Sequence, residues 1–176
     1  MGRLRRTHVH FALALVALVL AHPTPMTNAL GAVLVALGLV VRVWAAGVLE
    51  KGSGLCIDGP YRWVRHPLYL GSFVAAVGLC VMANSVWGWL IILPVFIILY
   101  WGQMMHEERR LAREFGGLHA EYARTVPMIL PMLPRTAGGG RGWRFGRMLV
   151  NRELHHVAVT CSLAALFYFR DLLPRV

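Results

Sequence analysis

The sequence predicts an all-α, polytopic integral membrane protein: about five transmembrane helices in a single domain, with a cytosolic C-terminal helical and Pro-rich segment. Three observations predict it. Of the 176 residues, 57% are hydrophobic, above the roughly 45–50% of a soluble domain, and the excess is gathered into runs. The net charge is +10, and the basic residues, nearly all arginine, stand between the apolar runs, where membrane topology places them. A nucleic-acid binder would instead show a basic face on a soluble fold. Short polar turns and prolines separate one run from the next.

Arg3, Arg5 and Arg6 precede an apolar run from Val9 to Ala21, read as a short first span over residues 8–22. A signal peptide shares that basic start, but no small-x-small cleavage site follows cleanly, and His22-Pro23-Thr24-Pro25 reads as a loop. Thr27 is the expected cap of a second span, 27–49, whose roughly 23 residues cross an ~30 Å hydrocarbon core. Gly31, Gly38 and Ala45 recur every seven residues, a close-packing stripe. Arg42 interrupts the helix and either snorkels or faces a polar cavity. Residues 50–67 form a loop.

A third span covers 68–83, and Asn84-Ser85 leaves room only for a helical hairpin. The fourth span, 86–105, contains Pro94, which is expected to kink it. Its 3.6-residue period runs on into water, with Leu111 and Phe115 on one stripe, until Gly116-Gly117 breaks it. His119 to Arg124 add a further helical turn or two. Val126 to Pro134 carries three prolines and reads as an extended strip on the protein or bilayer surface. Residues 135–148 read as a flexible Gly/Arg linker beside anionic headgroups. The last span is 153–170. With the N-terminus cytosolic, this arrangement puts 15 of 18 basic residues inside and only Arg170 and Arg175 outside. The Arg and Ala bias is associated with GC-rich prokaryotic genomes, hence an inner membrane.

Residues 59–71 place three aromatics, two arginines, a histidine and two prolines where the chain re-enters the membrane. Such an insert is costly unless protein or ligand satisfies it; the plainer reading is an interfacial turn anchored by Trp63 and Tyr69. The same topology brings Tyr61, Arg65, His66 and Tyr69 to the side that holds His106, Glu107 and Glu108. These are not a zinc hydrolase motif, because Arg110 stands where HExxH needs its second histidine. Cys56, Cys80 and Cys161 have no zinc or disulfide spacing. No chain of polar residues lines an ion path. A polar cofactor fits better. Glu107 or Glu108 accepts from ribose hydroxyls or an amino group, Arg65 or His66 pairs with a carboxylate, and Tyr61 and Trp63 offer faces to adenine. The plainer alternative pairs Glu107 with Arg110 or Arg113 on a solvated helix.

Gly59-Pro60-Tyr61, Arg65-His66-Pro67-x-Tyr69-x-Gly71, then Glu107-Glu108-x-x-Leu111-x-x-x-Phe115-Gly116 and Tyr122-x-x-x-Val126-Pro127, resemble the isoprenylcysteine carboxyl methyltransferase family, to which phospholipid N-methyltransferases are related. The resemblance spans residues 30–134. It implies S-adenosylmethionine as methyl donor and a cytosolic roof over its pocket. Carried over by position, it implies that Leu55, Cys56, Tyr61, His66, Pro67, Leu68, Tyr69 and Glu107 line the cofactor. Glu107 and Arg65 are the catalytic candidates; a carboxylate nucleophile needs no base, and Glu107, Glu108 or His66 is placed to deprotonate an amine or thiol. Eukaryotic members carry a substrate-binding Arg one turn before the matching Glu; here Gln103 stands there, and Arg42 or Arg109 is the substitute counter-ion. The partners implied are a lipophilic or lipidated acceptor and membrane lipids, with neither nucleic acid nor metal. A phospholipid amine acceptor, a sterol-reductase-like enzyme on the same core, and a non-enzymatic protein with a vestigial pocket stay open as alternatives.

Overall fold

A computed structural model describes residues 19–50, 52–133 and 140–172, and these are helical with no strand among them. The helices are α1 (Pro25–Val48), α2 (Pro67–Ala83), α3 (Leu93–Thr125), α4 (Phe145–Val150) and α5 (Glu153–Leu172). The proposed span at 8–22 lies outside the described residues except for its last few. By length and composition, α1 and the continuous helix Gly88–Thr125 suffice to cross a membrane; α2 is apolar but shorter.

The cap of α1 is Thr24 rather than Thr27. Pro25 fits the first helical position, where its missing N–H is harmless, and the two threonines form a reciprocal box: Thr27 N donates to Thr24 Oγ1 (3.2 Å) and Thr24 N to Thr27 Oγ1 (2.9 Å). α1 has two opposite stripes. Met26, Leu30, Val33, Leu37, Val40 and Trp44 are exposed, while Gly31, Val35, Gly38, Arg42 and Ala45 are buried. A continuous exposed apolar stripe calls for lipid or protein against it.

The buried stripe packs on α2 in antiparallel register. A Cβ on Gly38 would stand 2.5 Å from the Gly71 carbonyl, and one on Gly78 2.7 Å from the Gly31 carbonyl. The glycines let the backbones meet, which is how helices associate where apolar burial offers little gain. α5 runs antiparallel to α1, tied near one end by Arg42 to Glu153 and near the other by Asn28 Nδ2 donating to Asp171 Oδ2 (3.3 Å).

Asn84, in the left-handed conformation, caps α2 by donating its N–H to the Cys80 and Val81 carbonyls. The distortion expected from Pro94 takes the form of a π turn, Gly88–Ile92, in which Leu93 N–H reaches the Gly88 carbonyl; the wide turn makes room for a residue without a donor. The described part of the 135–148 segment, residues 140–148, makes specific contacts with α1 and its C-terminal end. Trp143 Nε1 donates to the Val43 carbonyl (3.0 Å) and Arg144 N to the Gly47 carbonyl (2.9 Å) just before α4, and Arg147 within α4 pairs with Glu50 (2.6 Å).

Candidate functional site

The loop before α2 is shaped by its own residues. Gly59–Arg62 forms a 3₁₀ turn with Pro60 near its start, and Cys56 and Tyr61 bury against Ala45 and Val48 of α1, with Leu68 packed on the cluster. Pro67 then opens α2, and His66 stands at its N-cap. The second half of the site comes from α3 where it leaves the apolar region.

Two hydrogen-bonded groups join these halves. In the first, Tyr69 Oη donates to Glu107 Oε2 (3.0 Å), and Gln103 donates to the same hydroxyl. Tyr69 also meets His66 and Tyr100 edge to face. In the second, Glu108 accepts from His66 Nε2 through Oε1 (2.7 Å) and pairs with Arg65 through Oε2. His119 Nε2 stands 3.5 Å from the same Oε2. Glu107 and Glu108 thus face the loop instead of pairing with Arg110, which bonds Glu114 (2.8 Å). His106 is exposed and takes no part.

The strip after α3 closes over the loop through its backbone. Arg65 N donates to the Pro127 carbonyl (2.8 Å), His66 N to the Met128 carbonyl (3.2 Å) and Met132 N to the Trp63 carbonyl (3.1 Å). Tyr122 Oη adds a bond to the Tyr61 carbonyl (2.7 Å), and Val126 is fully buried.

Burial sets the protonation states. It holds His66 below the ordinary imidazole value despite the opposing bond to Glu108, so Nε2 of a neutral ring donates to the carboxylate. Burial raises Cys56, Tyr61 and Tyr122 above their usual values, keeping them thiol and phenols. Cys56 is therefore a packing residue and not a nucleophile.

Arg42 is placed differently from the sequence expectation. Its Nε and Nη2 donate to Glu153 Oε1 (2.6 Å) and Oε2 (2.9 Å), and Nη1 donates to the Leu68 carbonyl (3.1 Å) and Ser72 Oγ. Both partners are buried, so the guanidinium is engaged within the protein and not held ready as an acceptor counter-ion. Sequence reasoning missed Glu153 and His119. The signal for Glu153 was the unmatched Arg42; for His119 it was the Gly-Gly break just before it. Among the described residues, no group of three or more His, Cys, Asp or Glu side chains is arranged to hold a metal ion; around Glu108 a guanidinium already fills that place. An open apolar cleft of about 360 Å³ lies elsewhere, lined by Leu39, Val40, Val43, Trp44, Trp143 and Val157, with no group suited to chemistry.

The residues fit the cofactor that the resemblance implies. Arg65 Nε is buried without a hydrogen-bond partner, a donor suited to a carboxylate, and Glu107 offers a carboxylate to a hydroxyl or amino group of the same molecule. Tyr61 and Tyr69 supply aromatic faces.

The chain is 34% identical over 112 residues to the cobalt-zinc-cadmium resistance protein CzcN of Cupriavidus metallidurans, covering 62% of this chain and 51% of that protein. It is 31% identical over 131 residues to the nickel-cobalt-cadmium resistance protein NccN of Alcaligenes xylosoxydans xylosoxydans, covering 69% and 61%. It is also 31% identical over 85 residues to the protein-S-isoprenylcysteine O-methyltransferase of Schizosaccharomyces pombe, covering 48% and 36%. The chain thus spans about half to three-fifths of the length of the first two. No solved structure matches. The family model for phospholipid methyltransferases matches residues 26–117, just over half the chain and both halves of the site up to Glu108; the chain belongs to the phospholipid methyltransferase family.

Proposed function

We propose that the protein is an S-adenosylmethionine-dependent methyltransferase of the membrane that methylates a lipophilic acceptor at the cytosolic interface. The observation that carries the reading is the meeting of the 61–69 loop with Glu107 and Glu108 under the 126–132 strip. In this reading five spans cross the membrane, 8–22 among them, with the N-terminus and the site cytosolic, in a prokaryotic inner membrane. The loop arginines support that orientation.

Leu55, Cys56, Tyr61, His66, Pro67, Leu68 and Tyr69, with Glu107, hold the cofactor; Arg65 and Glu107 are its charged contacts, and Gln103 faces the acceptor beside Tyr69. The cofactor supplies an already activated methyl group. The protein's part is placement and dryness: the strip excludes water, and the two hydrogen-bonded groups hold the loop against α3 so that donor and nucleophile meet within ~3–3.5 Å.

The buried charges favour an amine or thiol acceptor over a prenylcysteine carboxylate. Arg42 is matched by Glu153 and Arg65 by Glu108, so no unmatched buried cation among these groups awaits an anionic substrate. The metal-resistance names of two relatives describe those proteins; a methyltransferase reading of this chain does not rest on them.

Calorimetry with S-adenosylmethionine and S-adenosylhomocysteine tests the proposal. Low-micromolar binding by the purified protein, weakened at least ~10-fold by Glu107→Ala and unaffected by His155→Ala or His156→Ala, is the expected result. No binding at high micromolar overturns it. Binding of a nicotinamide cofactor instead favours a reductase on this core, and donor binding without methyl transfer to lipid extracts favours a vestigial pocket.

A further inference from the structure

His119 lies eleven residues beyond Glu108 on α3. On a straight helix the two would stand about 16 Å apart along the axis. They meet because Gly116 leaves helical geometry at φ 50°, ψ −119°, turning the last turns of α3 back over the loop. His119 is buried there with Nε2 unpartnered, 3.5 Å from Glu108 Oε2. That separation is too long for a good hydrogen bond, and an unsatisfied buried polar atom costs about 1–3 kcal/mol. The groups around it are Arg65 and His66 from the loop, Glu107 and Glu108 before the kink, and Tyr122 after it. Glu108 has Arg65 and His66, Glu107 has Tyr69, and Tyr122 has the Tyr61 carbonyl. Two buried nitrogens here have no partner: Arg65 Nε, a donor only, and His119 Nε2, which can accept a proton.

We propose that His119 is the group that takes the proton released when an amine or thiol acceptor is methylated. The inference rests on the methyltransferase reading above. With its proton on Nδ1, the neutral ring presents a lone pair at Nε2. As the acceptor nitrogen or sulfur bonds to the methyl carbon, the methyl–sulfur bond breaks, and its electron pair stays on the donor sulfur, which becomes a thioether. The acceptor's N–H or S–H proton passes to Nε2 and later to water. Glu108 then faces an imidazolium instead of a lone pair, so the contact becomes favourable at the moment the proton arrives. A carboxylate acceptor would have no proton to give up.

The test uses the full-length protein in lipid nanodiscs, labelled S-adenosylmethionine and a total membrane lipid extract, with products resolved by mass spectrometry. His119→Ala and His119→Gln are expected to bind S-adenosylhomocysteine within about threefold of the unmodified protein. Methyl transfer falls ~100-fold or more, the acid limb of the rate–pH profile disappears, and added imidazole restores part of the rate to His119→Ala. Unchanged transfer, an unchanged acid limb, or equal loss of binding and transfer in a Gln variant that melts normally overturns the proposal. A methyl ester product overturns it too while leaving the methyltransferase reading intact. Failure of the unmodified protein to bind either compound removes both.

Discussion

At the scale of single residues, the buried arginine of α1 is matched in full. Arg42 reaches Glu153 with two bonds, and removing one partner strands the other in a low-dielectric setting. Glu153→Ala is expected to cost about 3–5 kcal/mol, read as loss of the folded fraction in a detergent or urea melt; Glu153→Gln, which keeps hydrogen bonding but not charge, is expected to cost less. His66 sets a pH dependence. Its folded value is depressed by burial, so the unfolded chain protonates first as pH falls. The stability it supports is full above the ordinary histidine value of 6.5 and declines as pH drops through it until the folded ring also protonates. Melting midpoints between pH 7.5 and pH 5 should fall for the unmodified protein and fall less for His66→Gln.

At the scale of elements, two glycine devices decide geometry. The Gly31, Gly38, Gly71 and Gly78 contacts set the α1–α2 distance, and any Cβ at Gly38 or Gly78 meets backbone. Gly38→Ala is expected to lower the melting midpoint by several degrees and to weaken S-adenosylhomocysteine binding, since Leu68 is held to α1 through Arg42. Ala36, exposed on the same helix, is the control position, where Ala36→Leu should change neither. Gly116 occupies backbone that other residues reach at a cost on the order of 1–3 kcal/mol. Gly116→Ala should loosen the strip, detected as faster amide exchange at Arg65, His66 and Met132, whose N–H groups bond across it.

At the scale of the molecule, the sequence shows some features and hides others for physical reasons. The apolar runs, the Asn84 turn and the Gly116 break were legible because each depends on local chemistry: period, polarity and backbone freedom. The α1 cap was misplaced by three residues because Thr24 and Thr27 both suit a cap and only Pro25 decides between them. The docked half of 140–148 was illegible because Trp143 and Arg147 find partners on α1 and just beyond it, about a hundred residues earlier. For Tyr69 with Glu107 and His66 with Glu108, the sequence led only to the expectation that the two segments share a side, not to specific bonds. Orientation is open to direct measurement. Arg113→Cys in a Cys161→Ser background should react with an impermeant thiol reagent in inverted vesicles and not in intact spheroplasts.

The pairing of Arg42 with Glu153 also orders events during synthesis. The two are 111 residues apart, so the arginine is made long before its carboxylate leaves the ribosome. Until then Ser72 and the Leu68 carbonyl are its company. The nascent chain is therefore expected to hold an uncompensated cation until α5 emerges, and the arrival of Glu153 on α5 completes the buried pair. Chains stopped after residue 150 should be cleared by membrane proteases within a pulse-chase interval that the finished protein survives.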